Sequence, residues 1–163
     1  MTAKSNSPES FAKELDEFKK ALKLSGVTGA LRYLNQRTPH RYTGIYRYDG
    51  DTLRNEAFYD KYDPELQKGE DAPMATTYCS LLQSQNTLEI ADAAADERVK
   101  GKITTPVVSY CGVSVKDSAG NSFGTLCHFD MKACQERTTD FLFLESAAKL
   151  LFQHLSAKSV SGK

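Results

Sequence analysis

The side chains best equipped for chemistry are four cysteines, Cys79, Cys111, Cys127 and Cys134, and three histidines, His40, His128 and His154. Thiolates and imidazoles attack electrophiles, carry protons and hold soft metals, so their spacing is the first test of function. The cysteines stand 32, 16 and 7 residues apart, with no Cys-x-x-Cys pair and no close His spacing. No metal centre is therefore expected. No local motif sets up a Cys–His–acid nucleophile either. Three of the cysteines lie inside apolar patterns, which predicts buried, reduced thiols. Cys127 and His128 are adjacent within a strand-like run, so alternation sends them to opposite faces and they cannot grip one ligand or metal together. One is expected in the core and the other in a pocket or on the surface, with the His128 ring satisfied by a strand neighbour.

The chain of 163 residues suits one domain. Hydrophobic residues at 40% and charged residues at 26% place it in the ordinary globular range. Twenty-one basic and 21 acidic side chains cancel, leaving no global field to draw the chain onto phosphate backbones or anionic lipid. Nucleic acid is not an expected partner. The longest apolar stretches, Thr139 to Leu144 and Ala147 to Phe152, are short and interrupted, against the roughly 20 apolar residues of a spanning helix. The polar opening MTAKSNSPES has no export signal, so a cytoplasmic location is expected. Residues 1–7 and 158–163 read as flexible tails around a single domain at 8–157.

The elements that must position these groups follow from periodicity. Ser7-Pro8-Glu9 predicts a helix start, and Phe11, Leu15, Phe18 and Leu22 form one apolar stripe on a helix running to about Leu24. Ser25-Gly26 breaks it, and Ala30, Leu31 and Leu34 continue as a second short helix before Thr38-Pro39. From Tyr42 the period becomes two, and Asp49-Gly50-Asp51 turns the chain into a hairpin with Leu53 to Tyr59. Asp60 to Met74 reads as a long loop that can act as a lid. Thr76-Thr77 caps a short helix through Gln83, Thr87 to Ile90 is a brief strand, and Val107 to Lys116 and Ser122 to Asp130 form a second hairpin. Thr138-Thr139-Asp140 caps a last helix on which Phe141, Leu144, Ala148, Leu151 and Leu155 make a heptad-like stripe. The expected class is α+β, an antiparallel sheet of five or six strands with helices gathered on one face and a short helix and loops on the other.

Residues 113–130, VSVKDSAGNSFGTLCHFD, resemble the paired strands and G-x-L-C-x-F-D strand of GAF domains, and Thr77 to Leu82, Asp92 to Arg98 and the last helix are similar to that family in type and order. The resemblance implies a PAS-like sheet with a small-molecule pocket beneath the short helix and loops, and no particular ligand. In phytochrome-like GAF domains a Cys-His pair attaches a tetrapyrrole from a helix; here the pair lies in a strand, so that chemistry is not expected. By analogy the ligand-binding residues are Tyr59, Thr77, Cys79, Tyr110 and His128, with the helix start at Thr76-Thr77 and Arg98 able to receive an anionic group. The leading expectation is a non-catalytic sensory module that binds a small molecule and signals through a homodimer of the terminal helices or through a partner protein. Two alternatives stand beside it. One is a thiol-dependent reductase similar to the free methionine-(R)-sulfoxide reductases, which would need thiols such as Cys79 and Cys111. The other is a ligand-free dimerisation module with a filled core.

Overall fold

The computed structural model describes residues 8–65, 69, 71–73, 77–83, 85–102, 106–134 and 140–161. The expected cap Ser7, the 1–7 tail, Thr76, Thr138 and Thr139 lie outside the described residues. Helix α1 spans Pro8–Asn35 and is kinked at Gly26, where φ is 68° and ψ is −161°. The sequence break at Ser25-Gly26 is thus a change of direction inside one element. Its first arm buries Phe18 and Leu22, and its second buries Ala30, Leu31 and Leu34. That backbone conformation is open almost only to glycine, and a Cβ on Gly26 would meet nothing within 4 Å, so Gly26→Ala isolates the backbone cost. We expect it to lower stability by about 1–3 kcal/mol, read from the urea midpoint. An unchanged midpoint would mean that the two arms hold their angle without the kink.

Strands β1 (Tyr42–Asp49) and β2 (Thr52–Asp60) form the first hairpin, β3 (Ala72–Pro73) adds two residues at the edge, and β4 is Thr87–Ile90. β5 (Ser109–Lys116) and β6 (Ser122–Asp130) form the second hairpin, and α2 covers Phe141–Ser161. The six strands run β3-β2-β1-β6-β5-β4, every pair antiparallel. The 60–74 segment is therefore partly built into the sheet through β3, while Leu66 to Lys68, Glu70 and Met74 lie outside the described residues. Asp140 caps α2 by accepting from the Phe143 N–H at 3.1 Å. The helix backbone continues through residues 158–161, into the segment read from sequence as a tail.

The sheet separates two apolar clusters. On one face α1 and α2 bury Phe18, Leu31, Phe143 and Leu151 against Ile45, Ala57, Val113 and Leu126. On the other, Tyr46, Leu53, Phe58, Tyr110, Cys127 and Phe129 are covered by the short 3-10 helix Tyr78–Gln83 and by Val99. Burial on both faces gives β5 and β6 their nearly continuous runs of buried residues, where a one-sided sheet would alternate. A bulge between Ile45 and Tyr46 leaves Glu56 without a register partner on β1. Before it on β2, Leu53 belongs to the short-helix face; after it, Ala57 and Tyr59 belong to the helix face. The extra residue therefore reverses which parity points where.

Candidate functional site

The site lies beneath the short helix, where Cys79 and Tyr110 come together; Thr77, Cys79 and Tyr110 are buried, at 5%, 4% and 3% exposure. Two glycines on the sheet floor make room for it. A Cβ on Gly112 would stand 2.7 Å from the Tyr110 hydroxyl, and one on Gly44 would stand 2.8 Å from Tyr46 Cε1. Both tyrosine rings thus lie over a glycine two residues away on their own strand. Gly112, Cys127 and Gly44 are directly paired across β5, β6 and β1, which leaves Cys127 as the one side chain of that row between the rings. The short helix is tied down through tyrosine hydroxyls: Tyr48 donates to the Cys79 carbonyl at 2.8 Å and Tyr78 to the Val107 carbonyl at 2.6 Å. The Tyr78 and Tyr110 rings stack with centroids 5.0 Å apart.

Cys79 is the polar centre of this arrangement. Its Sγ is 3.3 Å from the Tyr110 hydroxyl and 3.1 Å from Thr125 Oγ1. Burial pushes the Cys79 thiol up, but the hydrogen bonds from Cys127, Thr125 and Tyr110 outweigh it and hold the thiol below its ordinary value. Cys127 is pushed well up, by burial first and then by its hydrogen bond to Cys79. Of the pair, Cys79 is the sulfur on which negative charge is better tolerated. Burial raises the Tyr46 and Tyr110 phenols well above their usual range and Tyr78 to about 12, so all three remain neutral donors at pH 7.

Tyr59 and His128, expected in the same pocket, are on the opposite face. Both pair with Thr43 of β1 and share its side of the sheet. The bulge sends Tyr59 there, and alternation sends His128 there because its neighbour Cys127 faces the short helix. His128 Nδ1 is 2.7 Å from Thr43 Oγ1, the strand neighbour expected to satisfy it. Asn35 Nδ2 donates to the same hydroxyl at 2.9 Å, so Thr43 links Asn35 to the His128 ring. His40 stacks on His128 with centroids 6.1 Å apart and has Thr38 Oγ1 2.6 Å from its Nδ1. His128 also lines a cavity with about 20 Å³ of room, beside Leu34, Arg37 and Asp140, enough for about one water. No small-molecule ligand would fit there.

Arg98 is engaged by Asp96 at 2.7 Å and by the Glu89 carbonyl at 2.8 Å, so it is not held ready for an anion. The short helix has six residues, too few to offer an anion site at its start. Cys111 pairs with His128 across β5 and β6 and shares its face, which separates it from Cys79. Cys127, Thr125, Tyr46 and Tyr48 were missed as site residues by sequence reasoning. The period-two positions counted back from Tyr110 through its partner Phe129 would have found Cys127 and Thr125. Among the described residues, no group of three or more His, Cys, Asp or Glu could hold a metal ion, and no helix is long and apolar enough to cross a membrane.

No protein-family model matches the chain, and no curated protein matches its sequence. Solved structures do match. The GAF domain of an Acinetobacter phosphoenolpyruvate-protein phosphotransferase is similar with a TM-score of 0.74 and 14% identity, covering 98% of this chain and 99% of that one. A free methionine-R-sulfoxide reductase from Neisseria meningitidis, solved in complex with its substrate, is similar with a TM-score of 0.70 and 16% identity over 99% and 98% of the two chains. A type II free methionine-R-sulfoxide reductase from Thermoplasma acidophilum gives 0.60 and 19%, over 86% and 95%. Sensory domains and reductases share this fold, and by its sheet order, its two-sided core and these likenesses this chain has the GAF fold.

Proposed function

We propose that the chain is a non-catalytic sensory module that takes a small molecule on the short-helix face of the sheet. The observation that supports this reading is the contact of Cys79 with Tyr110 under a six-residue helix held by tyrosine hydroxyls. Such a cover is fastened by a few directional bonds to backbone carbonyls, and a ligand that supplies equivalent donors can replace them. The neutral phenols and the Cys79 thiol suit a small polar ligand with both donors and acceptors. Output then runs through the sheet to α1 and α2, whose packing sets the pairing with a second copy or with a partner protein. Against reductase activity stands the separation of Cys79 from Cys111 by the sheet.

Native mass spectrometry of the purified chain, under gentle and then denaturing conditions, tests this. A reproducible added mass that leaves on denaturation is the expected result, and Gly112→Leu, whose side chain must displace the Tyr110 ring, should remove it. A bare dimer with no adduct overturns ligand binding in favour of the filled dimerisation module. Repeated turnover of free methionine sulfoxide with a thiol reductant overturns the non-catalytic reading.

A further inference from the structure

We propose that the His40–His128 stack is a proton-operated latch: charging it releases the end of α1 from β1 and from the segment after β2, while the rest of the fold stays closed. This does not rest on ligand binding, and it goes beyond a stability that varies with pH, because it places the opening at one junction and assigns the moving parts. Two side chains hold the end of α1 there. Lys61, just after β2, puts its Nζ 2.7 Å from the Asn35 carbonyl, 2.7 Å from Asn35 Oδ1 and 3.0 Å from the Thr38 carbonyl, so that it caps the last carbonyls of the helix. Asn35, 1% exposed, turns its Nδ2 to Thr43 Oγ1 at 2.9 Å, with the carbonyls of His40 and Arg41 at 3.3 and 3.4 Å. The two histidines are bonded into the same junction, His128 through Thr43 Oγ1 at 2.7 Å and His40 through Thr38 Oγ1 at 2.6 Å.

The charges around the stack decide what a proton does. Two cations face it, Lys61 from the end of β2 and Arg37 from just beyond α1, where it lines the cavity beside His128. Two carboxylates face it, Asp130 from the end of β6 and Asp140 from the start of α2. Asp130 already accepts from the Arg41 and Met131 N–H groups at 2.9 and 2.7 Å, and Asp140 caps α2 and lies 3.9 Å from Arg37. Farther out Asp60 is taken by Arg41 and Glu14 by Arg37, and β5 contributes Cys111, paired with His128. Among the described residues neither imidazole is paired with a carboxylate. Lys61 is held by three neutral oxygens, so a charge on the stack meets an ammonium that no carboxylate fixes among the described residues. That ammonium sits on a long stem that is partly exposed, so it is the group that moves to water. With it gone, the bonds of the Arg37 N–H to the Leu34 carbonyl and of the Thr38 N–H to the Asn35 carbonyl are left to hold the last turn. Helix ends open more easily than central strands, so the release stops at the junction. The released end carries Arg37, which meets Phe143 and Asp140 of α2, and the packing of the two helices changes with it.

Amide hydrogen exchange of the full-length chain, followed by NMR between pH 7 and 4.5 and corrected for intrinsic rates, tests this. A histidine that titrates near 6.5 when freed and at about 4 when enclosed favours the open junction by about fiftyfold over that interval. Protection of the Arg37, Thr38 and Lys61 amides should fall by about that factor, with no dependence on urea below the unfolding transition. Amides bonded between β5 and β6 should keep higher protection and exchange with the urea dependence of global unfolding. His40→Gln combined with His128→Gln should abolish the pH response, and Lys61→Met, which removes a cation and keeps the stem, should shrink it. Constant protection across the interval overturns the latch. So does junction exchange that shares the urea dependence of the β5 and β6 amides, which is global unfolding alone, or a full fiftyfold fall in the double histidine variant. An undiminished fall in Lys61→Met overturns it as well, whether or not the double variant folds.

Discussion

Stability should fall by about 3 kcal/mol or more as pH drops from 6.5 toward 4, starting at pH values where ordinary carboxylates are still ionised. His40 and His128 are buried together with their rings stacked. Burial brings His40 down to about 4, with Lys61 lowering it further and Asp130 partly opposing. His128 lies well below its ordinary value, through burial first and then the charges of His40, Lys61 and Arg37. A folded-state value below the unfolded one means that the unfolded chain binds the extra proton, so protons favour unfolding. The contribution is fully present above the unfolded value near 6.5 and is lost as pH falls through the window down to the folded value. For His40 the separation of about 2.5 units is worth about 3 kcal/mol, and His128 adds in the same direction. Lys61 makes the site hostile to a second positive charge, since its Nζ is locked onto the Asn35 and Thr38 carbonyls at 2.7 and 3.0 Å. Urea midpoints measured every half unit at constant ionic strength should rise steadily from pH 4 to 6.5 and level off above. His40→Gln should flatten that slope. A level profile across the window would mean that the histidines are charged or solvated in the folded chain.

The architecture was legible because both periods were clean. The stripe from Phe11 to Leu22 and the alternation from Tyr42 to Tyr48 each match one element, and Thr87 to Ile90 and Ser122 to Asp130 agree with β4 and β6 at both ends. The site was legible only in part. Cys79 and Tyr110 meet, because the short helix and β5 each carry an apolar run that packs on the same face of the sheet. Tyr59 was not, since a bulge at Glu56 changes the facing of every later residue on β2 and no residue type there announces it. His128 could have been placed: alternation already separates it from Cys127, and a pocket containing Cys127 excludes it. The Cys79–Thr125 contact joins residues 46 apart through sheet order, which pairs β6 with both β1 and β5 and so brings strand six under the short helix. Spacing in sequence carries no trace of that. Arg98 shows the converse limit, where a charge that seemed available is taken by a carboxylate two residues away.

Replacing Phe143 by alanine should cost about 3–5 kcal/mol, the range for a fully enclosed aromatic ring. Phe143 is 1% exposed at the start of α2, and its ring is met by Phe11 at 5.6 Å, Phe18 at 6.3 Å and Tyr33 at 6.4 Å, all from α1. The Arg37 guanidinium sits 3.9 Å above it, paired with Glu14 of α1 and facing Asp140, the cap of α2. Burial lowers the Arg37 pKa and Asp140 opposes that. One ring therefore joins the two arms of α1 to the first turn of α2, and its removal opens a cavity that aromatic neighbours on three sides cannot close without leaving their own contacts. Against a typical domain stability of about 5–15 kcal/mol, the variant should stand near its unfolding threshold at 37 °C. The adjacent Leu142 is 71% exposed, so Leu142→Ala should stay within about 0.5 kcal/mol of the parent and provides the control. A loss below 1 kcal/mol in Phe143→Ala, read from urea midpoints beside that control, would mean that α2 is not held to α1 through this ring. The route from the sheet to the terminal helices would then have to pass through Leu144, Ala147 and Leu151 and their contacts with the sheet instead.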